Sequence, residues 1–250
     1  MKTIKLSAIK RILLTLMITA MTIMGFSQDV PAFDKITTSA GVVEMHFIGH
    51  GSLMFRVVDF IIHIDPVRSS GSYSNLPKAD LILVTHDHYD HLDPQLIRDL
   101  QKQGTIMLCN EKSAPKVKWA QIMKAGDRKT IHDIVIEAVP AYNIKNERAP
   151  GQPFHPKGDG NGYVLNIGDK RFYIAGDTEN IPEMKNLKNI DVAFLPMNIP
   201  YTMTPEMVAD AAKSFNPKIL YPYHCGDTNT TLIVGLLKNT NIEVRIRNLK

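Results

Sequence analysis

Thr85-His86-Asp87-His88-Tyr89-Asp90-His91 follows a near-continuous apolar run, Ala79–Thr85, and precedes a segment of helical periodicity, Asp93–Gln103. An apolar run bounded by Pro77 and a polar turn reads as a strand buried on both faces. Loops at the carboxyl ends of such strands are where open α/β sheets build their sites. Extended backbone sends His86 and His88 to the same side, while the turn into the helix brings Asp90 and His91 in from another direction. A buried imidazole needs a partner for each ring nitrogen, so three histidines within six residues are hard to explain by packing. Four ligand-type side chains at this spacing suit two adjacent metal ions better than one.

Upstream, Val43–Ile48, Ser52–Val57 and Phe60–Ile64 are strand-like and are separated by Gly49-His50-Gly51 and Val58-Asp59, the pattern of an antiparallel meander. Downstream, Leu96, Ile97 and Leu100 share one face of the predicted helix, Gly104 stops it, and Thr105–Cys109 reads as a strand. The second half repeats the order: strand Arg171–Ala175 ending at Asp177, strand Val192–Leu195, helix Thr204–Phe215 and strand Lys218–Tyr221. That helix opens with Thr204-Pro205 as cap and first residue and is expected to bury Met207, Val208, Ala211, Ala212 and Phe215. The spacing is nearly constant, 112 residues from Asp65 to Asp177 and 111 from Asp93 to Thr204. This reads as an internal duplication: two mixed β-sheets packed face to face with helices outside, an α/β chain folded as a four-layer αββα sandwich.

Composition bounds the function. The formal charge of +4 comes from Lys2, Lys5, Lys10 and Arg11, which lie in the first 27 residues where no acid occurs; the rest of the chain carries 25 residues of each sign. A neutral body without a basic block argues against nucleic acid as a partner. The basic start, the apolar stretch Ile12–Met24 and small residues Gly25 and Ser27 predict a secretory signal peptide over 1–27, cut near Ser27. The mature chain 28–250 is then a single exported domain, periplasmic or secreted. The apolar stretch is shorter than the roughly 20 residues that span a bilayer, and no later segment is long enough, so no transmembrane segment is expected in the mature chain. Cys109 and Cys225 are too few for a disulfide framework; whether they pair is left open. His46, His63 and His132 lie in strand-like segments and are expected to pack or face solvent. His50, between two glycines, reads first as a turn former, with a substrate contact as the alternative.

On these residues the chain resembles the metallo-β-lactamase superfamily, whose H-x-H-x-D-H motif is met in full by residues 86–91. Asp65, after Ile61-Ile62-His63-Ile64, is similar to the aspartate that supports the ligand loop. Gly176-Asp177-Thr178 resembles the motif whose aspartate bridges two metals, and Tyr223-His224 resembles the one carrying the final histidine. One position departs from the pattern. Many members place a histidine where this chain has Asn143, so His155, 22 residues before Asp177, is assigned as the missing ligand, with Asn143 or water as the alternative.

The resemblance implies that His86, His88 and His155 hold one divalent ion, that Asp90, His91 and His224 hold the other, and that Asp177 bridges them. The nitrogen and carboxylate set suits Zn²⁺, with Mn²⁺ or Fe as alternatives. Asp65, Asp87 and Thr178 are candidates to orient the ligands. The implied reaction is hydrolysis by a metal-bridging hydroxide, with Asp90 and Asp177 holding the ions and Asp87, Tyr89 or a metal-bound water as the proton donor to the leaving group. No Gly-rich phosphate loop, serine elbow or cysteine nucleophile competes with it.

The tracts around Pro140–Asn143, His155–Lys157 and Pro196–Thr204 are similar to single-domain metal-dependent hydrolases of the ascorbate-6-phosphate lactonase and N-acyl-phosphatidylethanolamine phospholipase D branch. This implies a small-molecule or lipid-like ester, lactone or phosphodiester substrate. Asn143, Asn198 and Tyr201, on loops after strands, are candidate substrate contacts, and a Met and aromatic patch over Met197–Met203 is a candidate lipid contact. A β-lactamase, or a metal-dependent binding or sensor protein that keeps the fold, are the alternatives.

Overall fold

The structure, a computed structural model, describes residues 31–250; the predicted signal peptide lies outside the described residues. The first sheet is built in chain order from β1 (Phe33–Thr38), β2 (Gly41–Gly49), β3 (Ser52–Val57), β4 (Phe60–Ile64), β5 (Leu81–Leu83), β6 (Ile106–Cys109) and β7 (Gln121–Ile122), with helix α1 (Pro94–Leu100) between β5 and β6. β1 to β4 form an antiparallel meander and β4 to β7 pair in parallel.

The second sheet uses β8 (Arg128–Ile131), β9 (Ile134–Ala141), β12 (Gly160–Ile167), β13 (Lys170–Ile174), β14 (Val192–Pro196), β15 (Ile219–Tyr223) and β16 (Glu243–Val244). A small hairpin, β10 (Glu147–Ala149) and β11 (Gln152–Pro153), interrupts it between β9 and β12. Helices α2 (Pro205–Phe215) and α3 (Thr231–Leu237) flank β15 in sequence. Its pairings again run antiparallel from β8 to β13 and parallel from β13 to β16. Three antiparallel pairs followed by three parallel pairs is thus the plan of both sheets.

The inner faces of the two sheets share one apolar cluster that includes Met45, Phe55, Ile62 and Leu108 from the first sheet and Tyr163, Phe172, Phe194 and Tyr221 from the second. Phe55 meets Phe172 edge-on at 5.8 Å, and Phe47 meets Tyr221 at 5.3 Å. Each such side chain contributes about 1.5–3 kcal/mol by leaving water. Helix α1 covers the outer face of the first sheet through Leu96, Ile97 and Leu100, and α2 covers that of the second through Val208, Ala211, Ala212 and Phe215. The layers are those of an αββα sandwich, as expected. Among the described residues no helix is long and apolar enough to cross a membrane.

Local signals act as read at α2, where Thr204 Oγ1 accepts from Met207 N at 3.2 Å, Pro205 takes the first position and Asn216 ends the helix at φ 48°. Met207 is only partly buried. Helix α1 is shorter than predicted: Asp93 caps Leu96 N at 2.9 Å, but the helix ends at Leu100 rather than Gln103. The Leu100 carbonyl accepts instead from Ala79 N at 2.8 Å, so the approach to β5 claims it before another turn forms.

Several strands escape the sequence reading, β1, β8 and β12 the longest among them. β1 and β8 alternate polar with partly buried positions, and β12 begins Gly160-Asn161-Gly162, which resembles a turn. His46 packs on Phe33 at 4.8 Å, His63 Nε2 donates to Pro77 O at 3.0 Å, and His132 stacks on Phe60 at 4.8 Å; none joins the site. Met197 and Met203 are fully buried, so the anticipated lipid-facing patch reduces to half-exposed Ile199 and Tyr201. Cys109 and Cys225 are buried free thiols in different clusters, and burial pushes them up to about 11 and about 12.

Candidate metal centre

The strands of both sheets deliver polar residues to one end of the sandwich. Asp65 follows β4, the 85–91 loop follows β5, Asp177 follows β13 and His224 follows β15. Asp65 and His224 leave their strands with φ of 44° and 50°, a region in which aspartate and histidine are more common than most residues. Such turns lift each side chain out of its sheet toward a common point.

Asp65 is fully buried and organises the 85–91 loop. Its Oδ1 accepts from Thr85 N at 2.7 Å, and its Oδ2 accepts from Thr85 Oγ1 at 2.7 Å and from His91 Nδ1 at 2.8 Å. Thr85 Oγ1, having donated to Asp65, can accept from His86 Nδ1 at 3.0 Å. One carboxylate thus fixes the tautomers of two imidazoles, directly and through a hydroxyl, and leaves both Nε2 atoms facing inward. The role of Thr85 was not legible in the sequence.

His155 reaches the site from the loop after β11. Its backbone N and its Nδ1 donate to Asn143 Oδ1 at 2.8 and 2.6 Å. Asn143 Nδ2 is spent on Glu179 Oε1 at 3.2 Å and on Tyr201 O at 2.9 Å. Asn143 therefore neither contacts substrate space nor substitutes for the histidine; it stands behind His155 and aims its Nε2 inward. Glu179, buried and unremarked in sequence, also accepts from Asn146 N at 2.6 Å and so holds the loop.

These side chains converge in three groups whose ligand atoms lie within 4.8 Å of one another: His86, His88 and His155; His50, Asp90, His91 and His224; and His86, His91 and Asp177. Asp177 Oδ2 is 3.2 Å from His155 Nε2 and 3.2 Å from His224 Nε2, and Oδ1 is 3.4 Å from His91 Nε2. All seven residues assigned as ligands from the sequence are brought together. His50, read as a turn former, is one (φ 51°) and also points its ring into the site. Its only sequence signal is the Gly-His-Gly setting at the end of β2.

Two other expectations are corrected. The Thr178 hydroxyl bonds Tyr142 O at 3.1 Å and Glu179 O at 2.8 Å and orients no ligand. Asp87 belongs to none of the three groups; it pairs with Lys116 Nζ at 3.0 Å in the cavity wall.

The electrostatics favour a cation. Burial alone would raise Asp177, yet His224, His91, His155 and His86 hold it well below the usual carboxylate range. Asp90 is likewise held far down, against its burial, by His224 and His50. Burial pushes His86 well below the ordinary imidazole range, whereas at His91 the carboxylates of Asp177, Asp65 and Asp90 outweigh burial and bring it up to about 9. The Nε2 atoms of His86, His91, His155 and His224, and Asp177 Oδ1, are buried without a hydrogen-bond partner among the described residues. Buried polar atoms are normally paired, and a convergent set of imidazole and carboxylate donors left bare fits a divalent metal.

Two cavities of about 550 and 730 Å³ open over the cluster and share Asp87, His88, Arg148, Phe154, His155 and Asp177. Asn198 and Tyr201 line the larger one, with Tyr201 edge-on to Phe154 at 5.1 Å.

Comparison with known proteins agrees with this geometry. The family model of the beta-lactamase superfamily domain matches residues 44–224, from β2 to the last histidine of the cluster. A metal-dependent hydrolase of Enterococcus faecalis is 32% identical over 194 residues, covering 72% of this chain and 86% of its own length. The crystal structure of a candidate metal-dependent hydrolase from Parabacteroides distasonis superposes with a TM-score of 0.84 at 48% identity, covering 88% of this chain and 99% of that one. Igni18, a metallo hydrolase of Ignicoccus hospitalis, shares the fold at a TM-score of 0.68 and 23% identity, over 83% of this chain and 95% of its own. The chain belongs to the metallo-β-lactamase superfamily, within which it is a metal-dependent hydrolase.

Proposed function

We propose that the chain, freed of residues 1–27 on export, is a dinuclear hydrolase of an ester, lactone or phosphodiester. His86, His88 and His155 would hold one ion, Asp90, His91 and His224 the other, and Asp177 would serve both. The observation that carries this reading is the position of Asp177 Oδ2, 3.2 Å from an imidazole nitrogen of each group. When bound, two divalent ions, most simply Zn²⁺, supply Lewis acidity and a hydroxide nucleophile near neutral pH.

The chain's own residues do the rest. Asp65, Thr85 and Asn143 hold imidazole protons on the outer nitrogens so that the inner ones can bind. Phe154 and Tyr201 offer an apolar wall to the part of the substrate that does not react, and Arg148 stands over the Phe154 ring at 5.6 Å, where its charge faces both cavities. Asp87 and the largely exposed Tyr89 border the larger cavity, where a leaving group would take its proton.

Elemental analysis of the purified protein, with lactone and phosphodiester hydrolysis assayed on the same samples, tests the proposal. About two equivalents of metal, falling to one with loss of hydrolysis in His155→Ala, are expected. A single equivalent in the wild type, or none after reconstitution with Zn²⁺, Mn²⁺ or Fe²⁺, would overturn the dinuclear reading. Export is tested separately by the N-terminus of the processed protein, expected at Gln28; retention of Met1 would overturn it.

A further inference from the structure

The two halves of the centre are not equivalent. Behind His86 and His91 stands Asp65, and behind His155 stands Asn143. Asp90 has no such backing from its own loop; among the described residues its carboxylate is hydrogen-bonded only to His50, whose Nε2 lies 3.1 Å from Asp90 Oδ2. The His50 ring also lies against that of His224, with centroids 3.9 Å apart, and the His50 carbonyl accepts from His224 N at 3.1 Å.

The turn that carries His50 is fixed on both sides. A Cβ on Gly49 would fall 2.1 Å from Ser70 O, and one on Gly51 would fall 2.7 Å from His91 Cε1. The glycines let the backbone press against both neighbours, so the imidazole is delivered to one place by a segment with no room to shift.

We propose that His50 is the positioning residue of the Asp90, His91 and His224 half: it donates Nε2–H to Asp90 Oδ2 and braces the His224 ring. This rests on the assignment of those three side chains as metal ligands. Ligating carboxylates are normally held by such a bond, and loss of one typically weakens metal binding 10–100-fold. The His50 nitrogen nearest the cluster is occupied by Asp90, which makes it a support for that carboxylate rather than a further ligand.

The test separates the two ring nitrogens. In His50→Gln the amide nitrogen takes the place of Nε2; in His50→Asn it takes the place of Nδ1, too far back to reach Asp90, while asparagine keeps the left-handed turn at little strain. Full-length protein stripped of metal is titrated with Zn²⁺ against a chromophoric chelator, in the wild-type and His155→Ala backgrounds. The ion retained in His155→Ala reports on the His50 half.

His50→Asn is expected to weaken that ion 10–100-fold and leave the other unchanged, and His50→Gln to restore it to within about threefold of wild type. Unchanged binding in His50→Asn would overturn the proposal, as would His50→Gln failing as badly as His50→Asn, which would make the imidazole a ligand in its own right. A wild type that binds one ion would instead sink the dinuclear reading, and the effect of His50 on that ion would still be measurable.

Discussion

Asn143→Ala removes the acceptor that serves both His155 N and His155 Nδ1, at 2.8 and 2.6 Å, together with the donor to Tyr201 O at 2.9 Å. His155 N and His155 Nδ1 become buried polar groups in need of replacement, each costing about 1–3 kcal/mol if none is found, while Glu179 Oε1 and the part-buried Tyr201 O each lose a donor. With partial rescue by water, a loss of about 3 kcal/mol of metal-free stability is expected in urea denaturation. The effect on metal is separate. A His155 ring no longer held at Nδ1 can turn its bare Nε2 away, and the ion shared with His86 and His88 should bind 10–100-fold more weakly, about 1.4–2.7 kcal/mol. Asn143→Asp distinguishes the two effects. Aspartate keeps the acceptor for His155, and hence the affinity, but faces Glu179 Oε1, now 3.2 Å from the amide nitrogen, so stability falls without the metal loss. Competition with a chelator reads the affinities. Binding of both ions by Asn143→Ala within twofold of wild type would refute the positioning argument, as would a loss confined to the other ion.

Asp65→Asn replaces the acceptor that receives Thr85 Oγ1 and His91 Nδ1; metal affinity should fall 10–100-fold with the fold intact by circular dichroism, and an unchanged chelator titration would contradict this. His63, pushed by burial down to about 4, binds its proton less readily folded than unfolded. Its share of stability is therefore full above pH 6.5 and is lost as pH falls toward 4. At pH 4.5 the loss is about 2.5 kcal/mol, so metal-free His63→Leu should show that much less destabilisation between pH 7 and 4.5; parallel curves for the two proteins would show the residue is not neutral in the fold. Cys109 and Cys225, both buried as free thiols, should react with a thiol reagent only on unfolding and then as two equivalents; immediate reaction, or none in denaturant without reductant, would count against that placement.

The sequence carried the centre where ligands fall close together in it, and lost resolution where they do not. Residues 86–91 announce themselves because four donors occur within six positions at the end of a buried strand. Asp65, Asp177 and His224 are found through the family resemblance, each matching a motif that follows an apolar strand. His155 is a weaker inference, since it leaves the chain from an irregular loop, and the structure alone shows why Asn143 can stand where a ligand was expected: one side chain backs the other. Thr85 has no pattern of its own, and His50 has only its Gly-His-Gly setting. Each makes its contact through sheet register, which brings β2 and β4 beside the 85–91 loop and is not written in any local run of residues. Asp87 and Thr178 show the converse error, in which neighbours of ligands in sequence point elsewhere in space. For the fold, apolar strands were legible and the half-polar edge strands β1 and β8 were not.

Each group of ligands draws on both sheets: His86 and His88 with His155, and Asp90 and His91 with His224. An ion bound in either is a staple across the seam of the sandwich, joining segments more than 60 residues apart. Neither half-chain can assemble a complete cage, so tight loading has to wait until the sheets have docked. Metal choice is then decided late, by whichever ions surround the chain where its folding finishes, and metal release is coupled to the parting of the two halves.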